Sequence, residues 1–143
     1  MNKQNKNICI HVCDDNPVVI EKAIKITKNL LNEERLAAEI VTYEDGNQFT
    51  ERYKERKDEL LILDIEMPGK SGLDILKEFE IHCKNNRVIL LTAYDNLALQ
   101  SLMYGPFQIV RKDLMEIDLE KAIRRFLRIR NEQNAQLEIK EDG

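Results

Sequence analysis

Short unbroken apolar runs alternate along this chain with longer segments in which apolar residues recur every three or four positions. Ile8–Cys13, Leu60–Leu63 and Val88–Leu91 show no polar alternation and are too short for helices of their own. They predict strands buried on both faces, as in the middle of a parallel sheet. Ala38–Tyr43 alternates polar and apolar residues, which predicts an edge strand with one wetter face, and Phe107–Lys112 predicts a fifth strand. Val19, Ile20, Ala23, Ile24, Thr27, Leu30 and Leu31 fall at helical spacing, as do Leu73, Leu76, Phe79 and Cys83, and later Leu119, Ile123, Phe126 and Leu127. Phe49 with Tyr53, and Leu99 with Leu102 and Met103, mark two shorter helices.

Capping chemistry punctuates the same pattern. Asn16 and Pro17 suit an N-cap and a first helical residue, and Asp45-Gly46 suits a turn. Met67-Pro68-Gly69 breaks regular structure, after which Ser71 and Asp74 read as a capping box. Asn85-Asn86 stops that helix, and Asp95-Asn96 caps another that ends at Gly105-Pro106. Five alternations of strand and helix, without repeats or low-complexity tracts, predict an α/β fold: a doubly wound, five-stranded parallel sheet with helices on both faces. Asn131–Gly143 is polar and loosely patterned and reads as a linker, with a strand expected to begin at Leu137-Glu138-Ile139-Lys140.

Composition narrows the picture. A chain of 143 residues, 43% hydrophobic, is long enough for the core of one domain, and a net charge of −4 gives no sign of a nucleic-acid partner. The bases Arg124, Arg125, Arg128 and Arg130 follow the acids Glu116, Asp118 and Glu120, an order that complements the dipole of the last helix and favours a solvated helix end. Cys9, Cys13 and Cys83 are odd in number and lie in apolar segments, as suits buried thiols in a reducing compartment. No apolar run reaches membrane-spanning length and Met1–Asn7 lacks a signal-peptide core, so a cytoplasmic protein without a membrane partner is expected. Cys9, His11 and Cys13 would share one strand face, but zinc wants a fourth ligand and usually turns, so a packed, hydrogen-bonded histidine is expected instead.

Chemistry gathers at the predicted strand ends. The first strand runs into Asp14 and Asp15, the third into Asp64, the fourth into Thr92 and the fifth into Lys112. In an open parallel sheet these carboxyl ends face one crevice. Three carboxylates there repel one another, which raises a pKa or requires a cation, and a hard ion such as Mg2+ suits the oxygen ligands. Lys112 and Thr92 add an ammonium and a hydroxyl, a receptor for a tetrahedral dianion. A carboxylate nucleophile beside these groups describes phosphoryl transfer onto an aspartate.

From Ile8 to about Asn131 the chain resembles the receiver domain of bacterial two-component response regulators. The resemblance rests on Asp14-Asp15, on Asp64 with Met67-Pro68 and Gly72, on Thr92-Ala93 and on Lys112. It implies a flavodoxin-like strand order 2-1-3-4-5 and a receiver over residues 1–131. It implies that Asp64 accepts a phosphoryl group from a sensor histidine kinase, with Mg2+ held by Asp15, Asp64 and the backbone carbonyl of Glu66, and Asp14 acting through a metal-bound water. Thr92 and Lys112 would contact the phosphoryl oxygens, and phosphorylated receivers would form a homodimer. Such a protein is not a turnover enzyme; its chemistry is phosphotransfer and autodephosphorylation at most.

Two positions depart from the family pattern. Asp113 follows Lys112 where most members carry a proline, so the resemblance brings no cis peptide to this bond. Ile109 stands where a switch aromatic is usual, leaving Phe107 or Tyr94 to take its part. The run Pro106–Lys112 resembles receivers of LytTR-type transcription regulators, and residues 132–143 would then be a linker and the start of a truncated DNA-binding output domain. Two other classes stay open: a Toprim-like, Mg2+-dependent nuclease module with Asp64 and Glu66 as metal pair, and a receiver-like binding module that takes no phosphate.

Overall fold

The computed structural model describes residues 7–78, 87–93 and 107–142, with side chains as far as residue 136. Strands β1 (Ile8–Cys13), β2 (Ala38–Tyr43), β3 (Glu59–Asp64), β4 (Val88–Thr92) and β5 (Gln108–Arg111) form one sheet in the order 2-1-3-4-5, and each neighbouring pair is parallel. The expected doubly wound, flavodoxin-like architecture is therefore observed. β1, β3 and β4 are buried along their whole length, and β2 and β5 are the more exposed edges.

The alternation of side chains along each strand feeds two cores. On one face Ile8, Ile10, Val12, Leu60, Ile62, Ile89 and Leu91 pack beneath helix α1 (Pro17–Glu33) and the C-terminal helix (Met115–Asp142). On the other, Cys13, Tyr43, Leu61, Leu63 and Leu90 pack with helices α2 (Gly46–Arg52) and α3 (Gly72–Glu78). The predicted caps are present: Asn16 accepts from the Val18 amide, and Ser71 and Asp74 exchange bonds of 3.0 and 3.1 Å. The second half of the Leu73–Cys83 pattern, with Asn85-Asn86, and the helix expected from Asp95 to Gly105 lie outside the described residues.

The tail differs from expectation. Instead of beginning a strand at Leu137, the chain stays helical, and the C-terminal helix continues to Asp142. Its last turns contain Glu, Gln, Ala, Leu and Lys and no Gly or Pro before Gly143, and extending an existing helix avoids the cost of nucleation. The basic cluster is consequently not a helix end. Arg124 pairs with Glu33 and Glu120, Arg125 lies 4.8 Å over the Phe107 ring, and Arg130 grips Asp58 through bonds of 2.9 and 3.0 Å. Those residues bind this chain rather than presenting a free basic patch. No helix among the described residues is long and apolar enough to cross a membrane.

Candidate functional site

Each strand end delivers one part of the site. Asp64 is the last residue of β3 and Thr92 the last of β4, both fully buried, while Asp14 follows β1 directly and is buried as well. Asp15, next along the chain, is exposed. Ligand atoms of Asp14, Asp15 and Asp64 lie within 4.8 Å of one another. Lys112 opens a single 3-10 turn (Lys112–Leu114) after β5, and its Nζ stands 3.0 Å from Oδ2 of both Asp14 and Asp64.

The loop after β3 is fitted closely to that aspartate. A Cβ on Gly72 would meet the Asp64 carbonyl oxygen at 2.2 Å, so only glycine lets α3 start this near the strand end. The Glu66 amide donates to Asp64 Oδ1 at 3.0 Å, just as the Asn16 amide donates to Asp14 Oδ1 at 2.8 Å. One oxygen of each buried carboxylate is thus held by backbone, and the other faces the lysine and Asp15. Those Oδ2 atoms have no well-angled hydrogen bond among the described residues. All three side chains offer hard oxygens, so the cluster fits a divalent ion such as Mg2+.

The electrostatics follow from burial. Removal from water, and then the charge of Asp14, push the Asp64 carboxyl up to about 7, against which Lys112 works. Burial likewise raises Asp14. Burial would lower Lys112, but its two carboxylate partners outweigh that and hold it above the usual lysine range. Beside them the Cys13 thiol is pushed up to about 12 by burial and then by Asp14, so it stays protonated and packs 3.7 Å from Met67 Sδ.

Of the expected site residues, Asp14, Asp15, Asp64 and Lys112 come together at one point, with Thr92 joined to them through Glu66. The Glu66 side chain was not foreseen in this place. It accepts from the Thr92 hydroxyl at 2.8 Å and from the Ala93 amide at 3.3 Å. Asp113, in the place of the usual proline, forms a two-bond pair with Arg111 of 3.1 and 2.8 Å, and no peptide bond among the described residues is cis. Ile109 packs into the α2–α3 core, whereas Phe107 joins the opposite core edge-on to Phe126. Tyr94 lies outside the described residues.

His11 is the packed, hydrogen-bonded residue expected; Cys9 Sγ lies 3.3 Å from its Nε2, but Cys13, the third possible zinc ligand, has other partners. His11 Nδ1 lies 2.9 Å from the Tyr43 hydroxyl and its Nε2 3.3 Å from Glu59, while Cys13 turns to the Asp45 carbonyl and Met67. Glu59 escaped sequence reasoning, because an acid before an apolar run reads as a solvated strand end. Only the register, which sets Glu59 opposite Cys9, reveals that it is buried.

The chain matches the response regulator receiver domain family over residues 10–124 and belongs to that family. Sporulation initiation phosphotransferase F of Bacillus subtilis is 32% identical over 80 residues, a span of 54% of this chain and 64% of that protein. Sensory transduction protein LytT of Oceanobacillus iheyensis is 30% identical over 94 residues, 54% of this chain and 38% of that protein. The crystal structure of response regulator protein TrrA from Thermotoga maritima in complex with Mg2+-BeF is 31% identical with a TM-score of 0.62, covering 82% of this chain and 97% of that one. This chain therefore spans less than two thirds of either curated relative. Family membership removes the Toprim-like reading, as does the geometry: Glu66 turns its carboxylate to Thr92 rather than into the Asp14, Asp15 and Asp64 cluster.

Proposed function

We propose that this receiver is a phosphoacceptor: Asp64 takes a phosphoryl group from the phosphohistidine of a sensor histidine kinase, and the modified domain controls an output. The observation that carries this reading is a buried Asp64 carboxylate with one oxygen fixed by the Glu66 amide and the other facing Lys112 and the acidic pair. Family membership and the likeness to TrrA, whose structure holds Mg2+-BeF, support it. They also weigh against the alternative of a binding module that takes no phosphate.

In the transfer, an Asp64 oxygen forms a bond to phosphorus as the nitrogen–phosphorus bond of the donor breaks and the imidazole leaves with the electron pair. Lys112 stays beside Asp64 and offsets the negative charge of the incoming phosphoryl oxygens. Asp15, Asp64 and the Glu66 carbonyl, with Asp14 through water, would hold a Mg2+ ion that neutralises phosphoryl oxygens during transfer. The Thr92 hydroxyl then donates to the phosphoryl group, and Lys112 pairs with it.

The proposal extends to a transcription-regulating output through a DNA-binding domain of LytTR type, with phosphorylated receivers pairing as homodimers; the likeness to sensory transduction protein LytT accords with a signalling role. A cytoplasmic location suits a partner of this kind. Sedimentation with and without Mg2+ and beryllofluoride checks the pairing: the dimer fraction rises with the mimic, and an equal fraction in both overturns that part.

The direct test is incubation with Mg2+ and acetyl phosphate, followed by intact-mass measurement and proteolytic mapping. A gain of one phosphoryl group on the peptide containing Asp64 is expected. No gain, or a gain elsewhere, overturns the reading. Asp15→Ala should weaken Mg2+ binding at least ~10-fold, about 1.4 kcal/mol, by removing the exposed member of the acidic trio. Calorimetric titration measures this, and unchanged affinity would place the cation elsewhere.

A further inference from the structure

We propose that the Glu66 side chain is a positioning residue that holds Thr92 in its unphosphorylated arrangement and must release it for the switch to operate. This rests on the phosphoacceptor reading of Asp64. Glu66 connects the two halves of the site: its amide donates to Asp64 Oδ1 at 3.0 Å, and its carboxylate receives the Thr92 hydroxyl at 2.8 Å and the Ala93 amide at 3.3 Å. A threonine hydroxyl has one proton to donate. Spent on Glu66, that proton is withheld from a phosphoryl oxygen on Asp64.

The competition has a definite direction. A bond from a neutral donor to a carboxylate is stronger than one between neutral groups, so the contact stabilises the unphosphorylated arrangement. A phosphoryl group on Asp64 replaces the single charge of the carboxylate with roughly two, next to the loop that carries Glu66, so it repels Glu66 while attracting Thr92. A contact made in only one of two states shifts their equilibrium by its own strength. Glu66 therefore sets how much phosphoryl binding energy is needed before Thr92 moves, and the amide at Ala93 is released in the same step.

The test uses Mg2+-beryllofluoride as probe with wild type, Glu66→Ala, Glu66→Gln, Thr92→Ala and the Glu66→Ala/Thr92→Ala double variant. Calorimetry should show Glu66→Ala binding the probe about tenfold more tightly than wild type, ~1.4 kcal/mol. Glu66→Gln, which keeps an acceptor but loses the charge, should fall between them. In the Thr92→Ala background the same Glu66 change should bring a clearly smaller gain, because the hydroxyl contact is already gone and only the Ala93 amide contact remains. A second readout needs neither metal nor probe: the Thr92 methyl NMR signal should move in Glu66→Ala and stay near its wild-type position in Glu66→Gln.

If wild type binds the probe and folded Glu66→Ala binds it no more tightly, the latch is overturned while the phosphoacceptor reading stands. If wild type neither binds the probe nor gains phosphate on Asp64, both are overturned. Should Glu66→Ala melt early, Glu66→Gln decides alone: tighter binding supports the latch and unchanged binding overturns it.

Discussion

Asp64→Asn should abolish phosphoryl uptake and, in the metal-free protein at pH 8, should make the fold more stable by about 1–3 kcal/mol. The two effects have one origin. Asparagine keeps the shape and an oxygen for the Glu66 amide but has no carboxylate to attack phosphorus. The carboxylate it replaces is costly to the fold when no cation is bound, since burial and Asp14 raise it from 3.8 to about 7. Between those values the folded state binds more protons than the unfolded one, so this stability is fully present below pH 4, falls as the pH rises and is lost above 7. A rise of that size corresponds to ~4 kcal/mol, reduced here because the new amide must face Lys112, which keeps Asp14 as its partner. Urea unfolding without metal at pH 8 and pH 5 measures the effect: the advantage of Asp64→Asn should shrink at the lower pH, where wild-type Asp64 is protonated. Equal rates of phosphate gain in both proteins would remove Asp64 from the site.

Glu59→Ala should cost about 3–5 kcal/mol, a large part of the stability of an ordinary domain. The Glu59 side chain is fully enclosed and accepts from the Tyr53 hydroxyl at 2.7 Å and the Arg56 amide at 2.9 Å, with His11 and Arg87 each 3.3 Å away. Alanine leaves four polar groups facing a void, one of them a guanidinium whose Nε already lacks a partner among the described residues. Burial works to raise Glu59, but the bonds from His11, Tyr53 and the Arg56 amide outweigh it and hold the carboxyl below its ordinary 4.5. Its stabilisation is therefore present above that value and is lost as the pH falls through the lowered one. Chemical denaturation at pH 7 tests the cost, and Glu59→Gln, which keeps an acceptor, should lose clearly less. A loss under 1 kcal/mol in Glu59→Ala would show that the network rearranges without it.

This network lies away from the acidic cluster, so the two sets of substitutions separate fold from chemistry. Asp64→Asn should end phosphoryl uptake in a more stable protein. Glu59→Ala should leave the residues around Asp64 in place in a weaker one.

The sequence by itself determined whatever depends on neighbours along the chain. Buried runs, helical spacing and the caps at Asn16 and Ser71 are local patterns, and they placed the strands and the described helices. Asp64, Thr92 and Lys112 were legible as candidate site residues because each ends a predicted strand, and parallel strands must gather their carboxyl ends at one edge. Only the tertiary structure decided what crosses the chain. Thr92 meets Glu66 across 26 positions, and Arg130 meets Asp58 across 72, pairings that no periodicity encodes. The register of β1 on β3 turned Glu59 from an apparent strand end into the centre of a buried network. The C-terminal helix outran its expected limit because its polar residues, too weakly patterned to announce a helix, need only prolong one already held by its apolar face on the sheet and by the Arg130–Asp58 clasp.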